Sequence, residues 1–285
     1  MIVTGSIPAI LTVPRPRRER APRPRIWKGD AVPDVLTIAY LVTAGAVAGI
    51  VGTAGGITSL VSYPALLAIG IPPLAANVTS SVALLGSGAG SALRAGPDLS
   101  GHGGTLRRWL PGFALASLVG AVVLVVTPGR VFDLLVPFLV AAGSAALLLQ
   151  PRLERSRGGR PLPPGVVGIL GAAVAFYNGY FGADSGILVI ALLLATTESV
   201  LHRANSLKNV ILVIADVAPA VLFALTGTVV WHAVWPLGLG ALAGGLIGPS
   251  IARRVPASLL RRLIALCGFA LAAFLLVSAL RVAAA

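Results

Sequence analysis

Charge is scarce in this chain. Aspartate and glutamate number nine and lysine and arginine 22 among 285 residues, so charged side chains make up 11% against 56% hydrophobic. A soluble domain of this size carries about a quarter charged residues, and the mean hydropathy of +0.93 excludes that class. Cysteine occurs once, at Cys267, which rules out an intramolecular disulfide and leaves the redox compartment unread. The three histidines, His102, His202 and His232, never fall in the paired spacing of a zinc motif, and phosphate-loop and serine-elbow motifs are missing. Catalysis has no visible machinery, and neither a cofactor nor a metal is expected. Alternating ten-residue strands are also missing, which argues against a transmembrane barrel.

What the chain does have is a series of apolar runs, each near the ~20 residues that span a bilayer as a helix. The expected fold class is therefore an all-α integral membrane protein. The net charge of +13 does not call for nucleic acid, because no aromatic-rich basic platform accompanies it. The arginines fall instead in short polar segments between apolar runs, where a membrane protein keeps its cytoplasmic charge. Residues 1–33 differ in kind. They mix Pro14, Pro16, Pro22 and Pro24 with Arg15, Arg17, Arg18, Arg20, Arg23, Arg25 and Lys28, a composition expected to be disordered or extended. The charges follow Ile10 and Leu11 instead of preceding an apolar core, so a cleaved signal peptide is not expected. A cytoplasmic, lipid-facing tail and a mis-called upstream start codon are the two readings of this segment.

The apolar runs fall into two halves of four units, about eight in all. The first transmembrane repeat covers 34–149, with a glycine-broken unit at 34–70 and helices at 74–94, 109–127 and 131–149. A basic linker with Arg152, Arg155, Arg157 and Arg160 covers 150–164. The second repeat covers 165–285, with a broken unit at 165–196 and helices at 204–225, 231–250 and 258–281. Gly52-Thr53-Ala54-Gly55-Gly56-Ile57 interrupts the first run and Gly182-Ala183-Asp184-Ser185-Gly186-Ile187 its counterpart, 130 residues later. Ala76-Asn77-Val78-Thr79-Ser80-Ser81 is echoed by Ala204-Asn205-Ser206-Leu207-Lys208-Asn209 at an offset of 128 residues. Broken helices at matching places in two membrane halves point to the binding site of a transporter.

Orientation poses a conflict. The loops near Arg94, Arg107, Arg108, Arg203, Arg253 and Arg254 all want the cytoplasm, whereas the segments 128–131 and 226–230 carry only Arg130. If both broken units are re-entrant, each half crosses three times and the halves are inverted, but the basic tail then lies outside. If 34–70 crosses once, the tail is inside and the halves lose equivalence. The direct correspondence of the two halves favours inverted repeats.

The candidate substrate-binding residues gather around the breaks: Gly52, Gly55 and Gly56 in the first, Gly182, Ser185 and Gly186 in the second. Asn77, Thr79, Ser80, Asn205, Lys208 and Asn209 sit on the helices that follow. Helices beginning after Gly56 and Gly186 would offer free N–H groups and a favourable dipole to an anion. Neutral donors with one lysine suit a small oxyanion better than a metal. Blander readings stand beside these: the glycines serve close helix packing, Lys208 snorkels to the interface, and the Asn, Ser and Thr residues cap helices. Asp184 and Asp216 are candidates for ion coupling, because an acid inside a membrane is costly and so suggests function. Against that, Asp184 could cap the half-helix after it, and Asp216 could form a buried structural hydrogen bond.

These broken segments and the Ala-Asn elements resemble the sulfite exporter TauE/SafE family over roughly residues 34–282. The motifs concerned are Gly52, Gly55, Gly56 and Pro64, then Ala76-Asn77-Val78-Thr79-Ser80, with Gly179, Gly182 and Gly186 in the second half. The resemblance implies an inner-membrane permease of bacterial type that moves sulfite, organosulfonates or related small anions out of the cell. The first break has fewer clustered glycines than that family's pattern, and Asp184-Ser185 stands where small neutral residues are usual. The expected partners are a small anionic substrate and the lipid bilayer, not nucleic acid; proton coupling and a homo-oligomer are left open. The competing readings are a cation or metal permease using Asp184 and Asp216, a membrane enzyme using Lys208 and Asp216, and a non-transporting subunit.

Overall fold

A computed structural model describes residues 34–55, 58–155, 163–182, 185–198, 200–252 and 257–283. The described residues form ten α-helices and no strand. In the first half these are α1 (Val35–Gly55), α2 (Ser59–Ala68), α3 (Pro73–Ala95), α4 (Gly103–Val126) and α5 (Gly129–Arg155). In the second they are α6 (Pro164–Tyr180), α7 (Ser185–Thr196), α8 (Leu201–Leu225), α9 (Trp231–Ala252) and α10 (Ala257–Ala283). The eight expected units thus become ten helices, because each broken unit is two. α5 runs on to Arg155, well into the segment expected as linker. The tail at 1–33 lies outside the described residues. Three helices, over Val35–Thr53, Gly103–Val126 and His202–Leu225, are long and apolar enough to cross a membrane. Their outward faces carry exposed Leu115, Val119, Val217 and Val221, as lipid contact requires. The protein is an all-α integral membrane protein.

Proline and glycine set the punctuation. Pro73 and Pro164 open α3 and α6 at the first helical position, where the missing N–H is not needed. The break in the second half is held by Gly182, whose φ of 76° is a left-handed conformation that glycine adopts without steric cost. Its N–H donates to the Tyr177 carbonyl at 3.1 Å, closing the end of α6.

Helix direction follows from close contacts along the packed pairs. On α1 and α9, Gly45 meets the Leu237 carbonyl and Gly49 that of Ala241, while Gly240 meets Val42 and Gly244 meets Ala46. Both numbers rise together, so the helices run parallel, with small residues every fourth position letting the backbones touch. α3 and α9 are parallel as well: Gly238 lies on Ala83 and Gly245 on Ser87. α4 and α6 repeat the arrangement with the halves exchanged, with Gly171 near Trp109 and Gly179 against Ser117. α3 and α8 run antiparallel, since Gly88 lies on Val213 while Ser206 donates to Asp98 at 2.8 Å. Packing partners exchange between the halves: α1 with α9 and α4 with α6, α3 with α9 and α8 with α4, and the self-paired α3 with α8 and α5 with α10.

Two consequences follow. α1 and α3 point the same way, so α2 returns the chain to the side where α1 began, and α7 does the same between α6 and α8. Equivalent helices of the two halves also run in opposite directions, which is the inverted arrangement. Arg94, Arg107, Arg108 and Arg203 then share one end of the bundle, and Arg130 lies at the other together with the start of α1.

Gly244→Val is expected to destabilise the fold by about 1–3 kcal/mol or more, since a Cβ there overlaps the Ala46 carbonyl. Gly112→Ala, at a helical glycine with open space around it, is expected to be neutral. Thermal midpoints of the two purified variants check this, and equal midpoints would contradict the close α1–α9 contact.

Candidate functional site

The ends of the broken helices are the first problem the chain must solve. α1 stops at Gly55 and α6 at Tyr180, and each leaves last-turn carbonyls without an intrahelical partner. Lipid cannot satisfy them. The other half does. Asn205 on α8 donates its Nδ2 to the Thr53 carbonyl at 2.8 Å, and Asn77 on α3 donates to the Tyr180 carbonyl at 3.3 Å. Lys208, one turn after Asn205, donates Nζ to the Gly52 carbonyl at 3.2 Å, placing its ammonium at the negative end of the α1 dipole. The echoed Ala-Asn elements are therefore reciprocal braces, each holding the broken unit of the opposite half. Thr79 and Ser80 brace too: Thr79 Oγ1 accepts from the Val230 N–H at 3.0 Å, and the Ser80 and Ser62 hydroxyls lie 2.7 Å apart.

The opposite ends of the breaks face a cavity. Thr58 and Ser59, opening α2, and Ser185 and Gly186, opening α7, border one space of about 90 Å³. At ~10–15 Å³ for one water-sized occupant, it holds several such groups and suits a small solute. The first turns of both half-helices adjoin it. α7 begins at Ser185, so Gly186 lies within its first turn; the expectation that this half-helix starts after Gly186 is corrected by one turn position. The wall is symmetric. Positions related by the 128-residue offset line it in pairs: Ser81 with Asn209, Leu84 with Leu212, Leu85 with Val213, Gly88 with Asp216, and Ser91 with Pro219. The charge is not symmetric. Lys208 and Asp216 stand where the first half has Ser80 and Gly88.

Of the residues singled out from sequence, Gly182, Ser185, Gly186, Lys208, Asn209 and Asp216 line the cavity. Gly52 sits behind Lys208 as its carbonyl partner, and Gly55 ends α1. Asn77, Thr79 and Ser80, all buried, and the half-buried Asn205 are braces that do not line it. Gly56 and Asp184 lie outside the described residues. Asn178 was not anticipated. It lies in the last turn of α6, donates Nδ2 to Asp216 at 2.6 Å and to Ser117 at 3.2 Å, and accepts from the Ser185 hydroxyl at 2.6 Å. Its visible signal was an amide in an otherwise apolar helix just ahead of a glycine break.

The family profile described as "Sulfite exporter TauE/SafE" matches residues 38–275. The chain belongs to that family. Among curated relatives of this TauE/SafE protein, "Probable membrane transporter protein ORF9" of Sinorhizobium sp is 28% identical over 245 residues, 84% of this chain and 92% of the relative. A "Probable membrane transporter protein" of Haemophilus influenzae is 25% identical, over 84% and 94% of the two chains. "Probable membrane transporter protein YfcA" of Escherichia coli K12 is 24% identical, over 85% and 90%. No solved structure matches the chain.

At the basic end of this TauE/SafE bundle, one further contact ties the halves. His102, ahead of α4, meets Glu198, ahead of α8, at 2.6 Å between Nε2 and Oε2. Glu198 also accepts from the Val200 N–H at 2.8 Å. The bond from the Val200 amide, followed by the contact with His102, holds the Glu198 carboxyl below the usual glutamate range. A carboxyl that ionises more readily folded than unfolded stabilises above the unfolded value, and the gain is lost as pH falls through the folded value.

Asn205→Ala and Asn77→Ala are each expected to destabilise by about 1–3 kcal/mol, because each orphans a buried carbonyl. Unchanged thermal midpoints would show that those carbonyls have other partners. Glu198→Gln is expected to lower the midpoint at neutral pH, with the gap closing below about pH 4. A gap independent of pH would remove the carboxylate from the account.

Proposed function

We propose that this protein is a secondary transporter that exports small anions, such as sulfite, organosulfonates or related sulfur compounds, through the cavity between its two broken helices. The observation that carries the reading is Lys208. Its side chain is only 2% exposed, lines the cavity, and meets a backbone carbonyl at 3.2 Å, and no carboxylate pairs with it among the described residues. A buried cation without a counter-ion is costly, and a small anion in the cavity relieves that cost. The half-helix amides, Ser185 and Asn209 supply further donors, and sulfite is the cargo in the family's name. Alternating access moves one inverted half against the other. The protein acts as a multi-pass component of a bacterial-type inner membrane, as a transporter and not an enzyme. The cation-permease reading would rest on Asp216 in the same cavity, but that carboxylate already accepts from Asn178 and shares the space with a lysine.

The test is sulfite release from preloaded proteoliposomes, comparing wild type, Lys208→Ala and empty liposomes. Release by wild type alone is expected. Equal release by both proteins would remove Lys208 from the path, and none above empty liposomes would overturn sulfite export.

A further inference from the structure

Resting on the anion-transport reading above, we propose that a proton is the co-substrate: Asp216 takes it up when the anion binds, and Asn178 passes that change to the Ser185 hydroxyl at the start of α7. The first ground is charge. Among the described residues, Lys208 and Asp216 are the ionisable side chains that line the cavity. They lie eight residues apart on α8, about 12 Å along its axis at 1.5 Å per residue, so they share the space without pairing. Their two charges cancel. A monovalent anion arriving alone would make the space net negative in a setting of low dielectric, where an uncompensated charge is expensive. An anion arriving with a proton on Asp216 leaves one pair, Lys208 with the anion, and the space stays neutral.

The second ground is the hydrogen-bond chain. Asn178 is fully engaged, giving both Nδ2 protons, to Asp216 at 2.6 Å and Ser117 at 3.2 Å, and accepting from Ser185 at 2.6 Å. Each of these three partners can reverse its role: hydroxyls donate or accept, and a carboxyl donates once protonated. With Asp216 ionised, the amide must aim its N–H groups at it, which turns the carbonyl towards Ser185 and holds that hydroxyl's proton away from the cavity. With Asp216 protonated, its O–H donates to the amide oxygen. The amide turns end for end, Ser117 switches to donor, and Ser185 becomes an acceptor from Nδ2. The Ser185 proton is then freed from the amide; the Gly182 carbonyl, 3.1 Å from the hydroxyl, holds it until an anion at the α7 N-terminus accepts it. Each state keeps the amide bonded to all three partners, so the network has two arrangements selected by the proton on Asp216.

The groups facing Asp216 from the elements packed against α8 fit this scheme. α6 presents Asn178, α4 presents Ser117 and α7 presents Ser185. α3 adds the hydroxyls of Ser81, Ser87 and Ser91 to the cavity wall. Lys208 is the other charged group, and it is held by the Gly52 carbonyl. The proton comes from water on one side and leaves to water on the other, with no bond but O–H made or broken. One proton per monovalent anion carries no net charge, so the gradient of the acid itself sets direction, outward when the anion accumulates in the cell.

The experiment uses the full chain in liposomes with methanesulfonate, whose single charge is fixed over the working range, and a pH-sensitive dye. Movement of methanesulfonate down its gradient is expected to carry protons with it in wild type. Binding should tighten by up to about tenfold per pH unit as pH falls from about 8 to about 6. Asp216→Asn is expected to lose the proton signal and to bind methanesulfonate independently of pH. Ser185→Ala should weaken binding about tenfold at about pH 6, the worth of one hydrogen bond to an ion, with little change at about pH 8. Anion movement without protons in wild type, a proton signal surviving in Asp216→Asn, or equal weakening by Ser185→Ala at both pH values would each overturn the proposal while leaving transport intact. No movement of methanesulfonate or sulfite by wild type would sink the transport reading, and this proposal with it.

Discussion

A helix interrupted inside a membrane exposes backbone groups that lipid cannot satisfy, and the rest of this structure answers that constraint. The carbonyls at the end of α1 are met by Asn205 and Lys208, and the carbonyl at the end of α6 by Asn77. Every one of these partners comes from the opposite half. Each break has end carbonyls that are met from the other half, so the two interlock, and the interlock sets the paired half-helix starts of α2 and α7 on one cavity. The same bonds that hold the fold together therefore create the site.

Symmetry builds the cavity, and departures from symmetry give it chemistry. Five wall positions in each half are related by the repeat offset, and most are small or apolar in the first half. The second half replaces Ser80 with Lys208 and Gly88 with Asp216. One replacement introduces a buried cation that an anion can neutralise. The other places a carboxylate within reach of Asn178 and so of Ser185. A neutral two-fold wall would offer only amides and hydroxyls, which bind oxyanions without setting a charge.

Much of this was legible in the residues. The apolar runs, the two glycine breaks and the Ala-Asn echo located the repeats, their inversion and the neighbourhood of the cavity, because each depends on local chain chemistry. The role of Asn77 and Asn205 was not legible. An amide one turn into a helix reads equally as substrate ligand, cap or brace, and only the opposing helix end decides between them. Asn178 was hidden for a related reason: its meaning depends on Ser117, Asp216 and Ser185, which lie on three other helices. The return of α2 beside α1, favoured by the repeat but opposed by the basic tail, was decided by contacts of Gly45, Gly238 and Gly244 that pair α1 and α3 with α9.

The central claim is that the cavity between the broken helices holds a small anion against Lys208. Its most direct test is the thermal midpoint of the purified protein, titrated with sulfite or sulfoacetate in parallel with divalent cations. A ligand that binds only the folded state stabilises it in proportion to RT ln(1 + [L]/Kd). The anions are expected to raise the midpoint progressively and the cations to leave it unchanged. A rise with divalent cations and none with either anion would contradict the claim.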